Sequence, residues 1–82
     1  MKITKKSFVE ATKNNKSWNN VVEWEGLFIA RVCWFENPWM LVDNLNDFKK
    51  ATNNRERNEF KQFHTREDLW DYIKTIIKIN DN

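Results

Sequence analysis

Cysteine, glycine and proline each occur only once in this chain of 82 residues. A single cysteine excludes a disulfide within the chain and fits a reducing compartment. A structural zinc ion takes about four ligands, more than Cys33 and the lone histidine, His64, supply. One glycine and one proline mark few tight turns. We therefore expect a fold held together by its apolar core, with no metal and no other cofactor.

Long hydrophobic runs are also missing from the sequence. No run approaches the roughly 18 apolar residues of a membrane-spanning helix. The N-terminal sequence "MKITKKSFVEATKNNK" lacks the apolar core of a signal peptide. We expect residues 1–82 to form a single cytoplasmic domain with no membrane partner.

The net charge of +2 conceals a segregation of charge along the sequence. Residues 1–16 carry five Lys and one Glu, whereas residues 17–48 carry one Arg and five acidic residues. Residues 49–61 carry five basic and two acidic residues. This pattern fits neither a uniformly basic nucleic-acid binder nor an acidic mimic of DNA.

Two helices are indicated by capping signals. Thr4 is a candidate N-cap of a short N-terminal helix, with Ile3 and Phe8 placed as a hydrophobic staple. In "FHTREDLWDYIKTIIKI", Thr65 is a candidate N-cap with acidic residues in the first turn. A broad apolar stripe then predicts that this helix packs on a sheet, and its members are Leu69, Trp70, Ile73, Ile76 and Ile77.

Residues 20–35 read as a β-hairpin around Glu25 and Gly26, since a two-residue hairpin loop favours positive φ angles. The predicted register pairs Trp24 with Leu27, and Val22 with Ile29.

The turn "ENP" then leads into a third strand, "WMLVDN". A three-residue loop would pair Phe35 with Trp39 and Cys33 with Leu41. It would also set Arg31 opposite Asp43, which gives the arginine a cross-strand carboxylate. A four-residue loop, the alternative, loses that pair.

Residues 45–63 are predicted to hold a helical turn in "NDFKKAT" and a short strand in "NEFKQF", with one longer polar helix as the alternative. The fold class is then α+β: a small antiparallel sheet of three or four strands, with an N-terminal helix and a C-terminal helix packed on one face.

The second strand is apolar on both of its faces. Five Trp and six Phe are more large aromatics than so small a core needs. We expect the core to take Phe8, Phe28, Trp34 and Trp70. Other aromatics then fall on or beside the opposite sheet face, which is covered either by residues 45–63 or by another molecule. The residues predicted to bind a partner there are Trp18, Trp24, Arg31, Phe35 and Trp39.

The sequence offers little for catalysis or for nucleic acid. His64 precedes a helix cap and Cys33 lies in an apolar strand, so no catalytic residue is assigned and no enzyme is expected. The basic segment is a candidate contact with phosphate or with a protein partner, and its named members are Lys49, Lys50, Arg55 and Arg57.

In size, aromatic content and layout, with "FHTREDLWDYIKTII" closing a short meander, the protein resembles the small phage-encoded inhibitors that include anti-CRISPR proteins. The resemblance implies a non-enzymatic inhibitor in the host cytoplasm. Such a protein blocks a nucleic-acid-handling complex, for example a CRISPR effector, by occupying its surface. A homodimer that buries the same sheet face is a close variant. The alternative function is a nucleic-acid-binding module that uses the basic 49–61 segment and exposed aromatics.

Overall fold

A computed structural model describes residues 3–13 and 19–77. Its four strands form one antiparallel sheet in the order β1-β2-β3-β4, which confirms the predicted α+β class. Within the described part of the sequence, no helix has the length and apolarity needed to cross a membrane. The elements are α1 (Lys5–Ala11), β1 (Asn20–Trp24), β2 (Leu27–Arg31), β3 (Trp39–Val42), α2 (Phe48–Ala51), β4 (Gln62–Phe63) and α3 (Arg66–Ile76).

Both predicted helix caps are confirmed. The Oγ1 atom of Thr4 accepts a hydrogen bond from the Ser7 N–H at 3.1 Å, and α1 begins at the next residue. Thr65 accepts from the Asp68 N–H at 3.1 Å in the same way, one residue before α3. Each cap satisfies a backbone donor that has no partner within its own helix.

The first hairpin has the register that the sequence predicts. Trp24 lies opposite Leu27, and Val22 lies opposite Ile29. Its turn has positive φ angles of 49° at Glu25 and 80° at Gly26. Positive φ at both central residues lets a two-residue turn match the twist of its strands.

The second hairpin departs from the prediction. β2 ends at Arg31, which lies opposite Trp39, and Ile29 lies opposite Leu41. The predicted pairs of Arg31 with Asp43, Cys33 with Leu41 and Phe35 with Trp39 are therefore wrong, and so is the four-residue alternative. The Val32 N–H donates to the Pro38 carbonyl at 3.0 Å and closes a longer connection, here called loop 32–38.

One face of the sheet packs against α1 and α3. Phe8 stacks on Trp70 with ring centres 5.3 Å apart and meets Trp24 edge-on at 5.4 Å. The Trp24 indole N–H also donates to the Ser7 Oγ at 2.9 Å. This helix-covered face is not the one that the sequence analysis assigned to the helices. Its buried members are Phe8, Trp24, Ile29, Trp39, Leu69, Trp70 and Ile73.

The other face of the sheet is covered by the protein's own residues 45–63. Phe48, Ala51 and Phe60 from that segment pack against a second cluster on the sheet. The sheet therefore has a layer on each side, and both faces of β2 are covered by the protein itself. The buried residues of the second cluster are Ala30, Val32, Met40, Val42 and Ala51.

Residues 45–63 hold the predicted helical turn, whereas the predicted strand "NEFKQF" is a strand only at Gln62–Phe63. Leu45–Asp47 is a 3-10 turn that leads into α2, and Glu56–Glu59 is a second such turn before β4. The alternative of one long polar helix is wrong. Asp47 is buried, and its carboxylate accepts from the N–H groups of Asp43 at 2.9 Å and Asn44 at 3.2 Å, which offsets the cost of burying it.

Candidate protein-binding loop

The aromatic face that was predicted to bind a partner is buried. Trp24 is 6% exposed and Trp39 is 4% exposed, because α1 and α3 pack on them. The expectation that these two rings lie on an open surface is wrong. Trp18 lies outside the described residues.

Arg31 is half-buried and stacks on a ring instead of meeting the predicted carboxylate. Because the strand register sets it opposite Trp39, its guanidinium carbon lies 5.4 Å from the centre of that indole. Asp43 lies beyond the last residue of β3 and is exposed.

The basic segment divides into exposed and buried side chains. Lys49, Lys50 and Arg55 are exposed. Arg57 is only 1% exposed, so its predicted place on a contact surface is wrong. Its side chain is buried because it lies between the Ala51 end of its own segment and loop 32–38.

The guanidinium of Arg57 joins three parts of the fold. It donates from Nη1 to the Ala51 carbonyl at 3.2 Å, from Nη2 to the Asn37 carbonyl at 2.6 Å, and from Nε to the Gln62 Oε1 at 3.0 Å. Its carbon also lies 3.6 Å from the centre of the Phe35 ring, a cation–π contact. Burial lowers the pKa of this guanidinium through desolvation, yet arginine stays protonated in proteins.

Loop 32–38 is held from its other side as well. The Cys33 N–H donates to the Asn19 Oδ1 at 2.9 Å. His64 Nδ1 lies 2.8 Å from the Glu36 carbonyl, and since a carbonyl only accepts, that nitrogen carries the proton. The backbone of the loop is thus fixed near its start and near its end.

At the tip of this fixed loop, Trp34 is 60% exposed. Its ring contacts Phe35, with centres 6.1 Å apart, while Phe35 itself is half-buried beneath Arg57. The predicted place of Trp34 in the core is wrong, because that prediction needs β2 to continue to residue 35 and the strand ends at Arg31. No local signal ends the strand at Arg31, since the apolar run continues through residues 32–35 up to the turn "ENP".

Cys33, which was predicted to lie inside an apolar strand, lies in loop 32–38 beyond the end of β2. Cys33 and His64 are both exposed, and the ring of His64 is engaged with the loop backbone. Among residues 3–13 and 19–77, no group of three or more His, Cys, Asp or Glu is arranged to hold a metal ion. No family model, curated protein or solved structure matches this sequence.

Proposed function

We propose that this protein is a non-enzymatic binding protein that inhibits a partner protein by occupying its surface, with Trp34 as the anchor. The observation that carries the proposal is a tryptophan 60% exposed on a loop whose backbone is hydrogen-bonded on both sides. Tryptophan is among the residues most enriched at the energetic centres of protein interfaces.

The exposed surface of the Trp34 indole can contribute free energy to binding when a partner covers it. A buried aromatic side chain removes roughly 150 to 250 Å² from water, and Trp34 has 60% of its surface still exposed. At about 25 cal/mol per Å², covering that part with a partner contributes roughly 2 to 4 kcal/mol. Because loop 32–38 is already ordered, little of this gain is lost to fixing the loop.

The narrower form of the proposal concerns the partner. The resemblance to phage-encoded inhibitors implies a nucleic-acid-handling complex such as a CRISPR effector. Proteins of that class present basic surfaces. The exposed carboxylate of Glu36, beside Trp34, is complementary in charge to such a surface. Direct binding of nucleic acid is less favoured because Arg57, one of the named basic residues, is buried inside the fold.

We expect Trp34→Ala to weaken binding to the partner by roughly 30-fold or more, about 2 kcal/mol, as hot-spot truncations do. Stability should change by less than about 0.5 kcal/mol because the ring is mostly exposed. The measurement is a quantitative pull-down from host lysate with immobilised wild-type and variant protein. Titration of the retained partner then follows by calorimetry.

Leu45→Ala is the matched control, since Leu45 is an exposed apolar side chain at 50% outside the loop. Equal retention of the partner by the Trp34 and Leu45 variants would refute the anchor role. Light scattering that shows a dimer dissolved by Trp34→Ala would replace the partner with a second copy of the protein. Salt-sensitive binding of oligonucleotides at micromolar protein would favour the nucleic-acid alternative.

A further inference from the structure

β1 is an edge strand, because within the described part of the chain it has a strand neighbour on one side only. Both of its faces are covered. Val22 and Trp24 pack in the cluster beneath α1 and α3, and Val21 packs in the cluster with residues 45–63. The part of β1 that can still take a partner is therefore its backbone edge, since an edge strand presents N–H and C=O groups to its surroundings.

The register of the first hairpin determines which backbone groups of β1 point away from the sheet. Trp24 and Leu27 flank the two-residue turn and form a hydrogen-bonded pair. Bonded and non-bonded pairs alternate along an antiparallel ladder, so Val22 is in the next bonded pair. Val21 and Glu23 lie in the non-bonded positions, and their N–H and C=O groups point outward. Within the described residues, these two backbones form no hydrogen bond outside the ladder.

The other side of β2 supports the same alternation. The Val32 N–H donates to the Pro38 carbonyl, on the side of β2 that faces β3. Ala30 and Phe28 have the same parity as Val32 and therefore bond toward β3. The β2 residues between them bond toward β1, as the assignment for β1 requires.

The outer edge of β1 is acidic. Glu23 is exposed and Glu25, in the adjacent turn, is half-buried. Neither carboxylate takes part in the ion pairs that the described residues form. A basic side chain on an added strand can lie directly opposite Glu23, and an opposite-charge pair across two strands stabilises their pairing. A second copy of this protein would instead bring its own acidic edge, which like-charge repulsion disfavours.

We propose that the outer edge of β1 binds an extended basic segment of a polypeptide, which adds a strand to the sheet. The backbone groups of Val21 and Glu23 supply main-chain hydrogen bonds, and the Glu23 carboxylate selects a basic residue opposite it. The start of β1 lies beside loop 32–38, because the Cys33 N–H donates to Asn19, the residue before the strand. That the segment belongs to the partner anchored by Trp34 rests on the proposed function, but the strand pairing is testable with a synthetic peptide.

The test is an NMR titration of the ¹⁵N-labelled full-length protein with a blocked peptide of alternating threonine and lysine, about ten residues long. We expect saturable shifts of the β1 amides. At saturating peptide, amide hydrogen exchange should slow at Val21 and Glu23, whose N–H groups gain acceptors. It should stay unchanged at Val22, whose N–H is already bonded within the sheet. This alternation distinguishes an added strand from a peptide that is held by charge alone.

Two matched peptides separate backbone pairing from charge. The basic peptide with N-methylated central residues keeps its charge but cannot donate from its backbone there, and it should not bind. A peptide of alternating threonine and glutamate should bind about tenfold more weakly than the basic one. Equal binding of the basic peptide and either match would overturn the proposal. Exchange at Val21 and Glu23 that slows with rising protein concentration, without peptide, would assign the edge to a second copy and would also overturn it.

Val21→Pro removes one outward N–H and should weaken peptide binding about tenfold or more. Proline is tolerated on an edge strand where its nitrogen faces outward. Full binding by this variant would contradict the proposal, and the N-methylated peptide tests the same pairing if the variant does not fold. Glu23→Gln should weaken binding about threefold, whereas Glu59→Gln, at an exposed position elsewhere, should leave it unchanged. Trp34→Ala should still bind the peptide, so a failure of the anchor role and a failure of the strand-binding edge give different results.

Discussion

Replacing Trp39 with alanine is expected to lower the free energy of unfolding by about 3 to 5 kcal/mol, as large-to-small substitutions of buried aromatics do. The indole is 4% exposed and belongs to the cluster that joins the sheet to α1 and α3. Its removal leaves a cavity and also takes away the ring on which Arg31 stacks. For a domain of this size the melting temperature should fall by roughly 12 °C or more. Urea denaturation followed by circular dichroism measures the effect.

Two further variants test whether the loss of stability comes from removing a buried ring. Trp39→Phe keeps much of the ring and should cost clearly less than Trp39→Ala, even if the alanine variant is largely unfolded. Trp34→Ala removes the same side chain from an exposed site and should leave the unfolding midpoint near that of the wild type. A Trp39→Ala protein with wild-type stability would mean that the helices do not cover this face.

Replacing Arg57 with methionine is expected to cost about 3 kcal/mol of stability, since it leaves one buried and two partly buried acceptors without this donor. The carbonyls of Asn37 and Ala51 and the Oε1 of Gln62 all receive hydrogen bonds from this guanidinium. Methionine fills part of the volume but donates nothing. We also expect faster amide hydrogen exchange at Trp34 and Phe35, because loop 32–38 loses its support, together with weaker binding through Trp34.

Arg57→Lys tests whether the charge of this side chain or the planar geometry of its guanidinium stabilises the fold. An ammonium retains the charge but lacks the planar fork that reaches three separate acceptors, so an intermediate loss is expected. Arg55→Met, at an exposed position nearby, should stay within about 0.5 kcal/mol of the wild type. If both Arg57 variants keep the wild-type stability and the wild-type rate of amide hydrogen exchange in loop 32–38, the guanidinium does not hold the loop.

The elements that local chemistry specifies could be predicted from the sequence. Thr4 and Thr65 cap α1 and α3 because a hydroxyl satisfies a donor only three residues away. The turn at Gly26 set the first register because its short loop leaves the strands little freedom.

The sequence did not predict which face of the sheet α1 and α3 cover. β2 is apolar on both sides, so the hydrophobic pattern offers no distinction between them. Tertiary packing makes that distinction: Phe8 and Trp70 stack with Trp24 on one face, and Phe48 and Phe60 take the other. The face that was predicted to bind a partner is therefore part of the core.

Signals that act over a few residues were enough to establish the α+β class, both helix caps and the first hairpin. The end of β2 at Arg31 and the exposure of Trp34 depend instead on contacts between distant parts of the fold. The reason lies in Arg57, which binds the Asn37 carbonyl across 20 positions of sequence and stabilises a longer loop than "ENP" indicates. A buried side chain that bonds to distant backbone leaves no local pattern, so the candidate site emerged only with the fold.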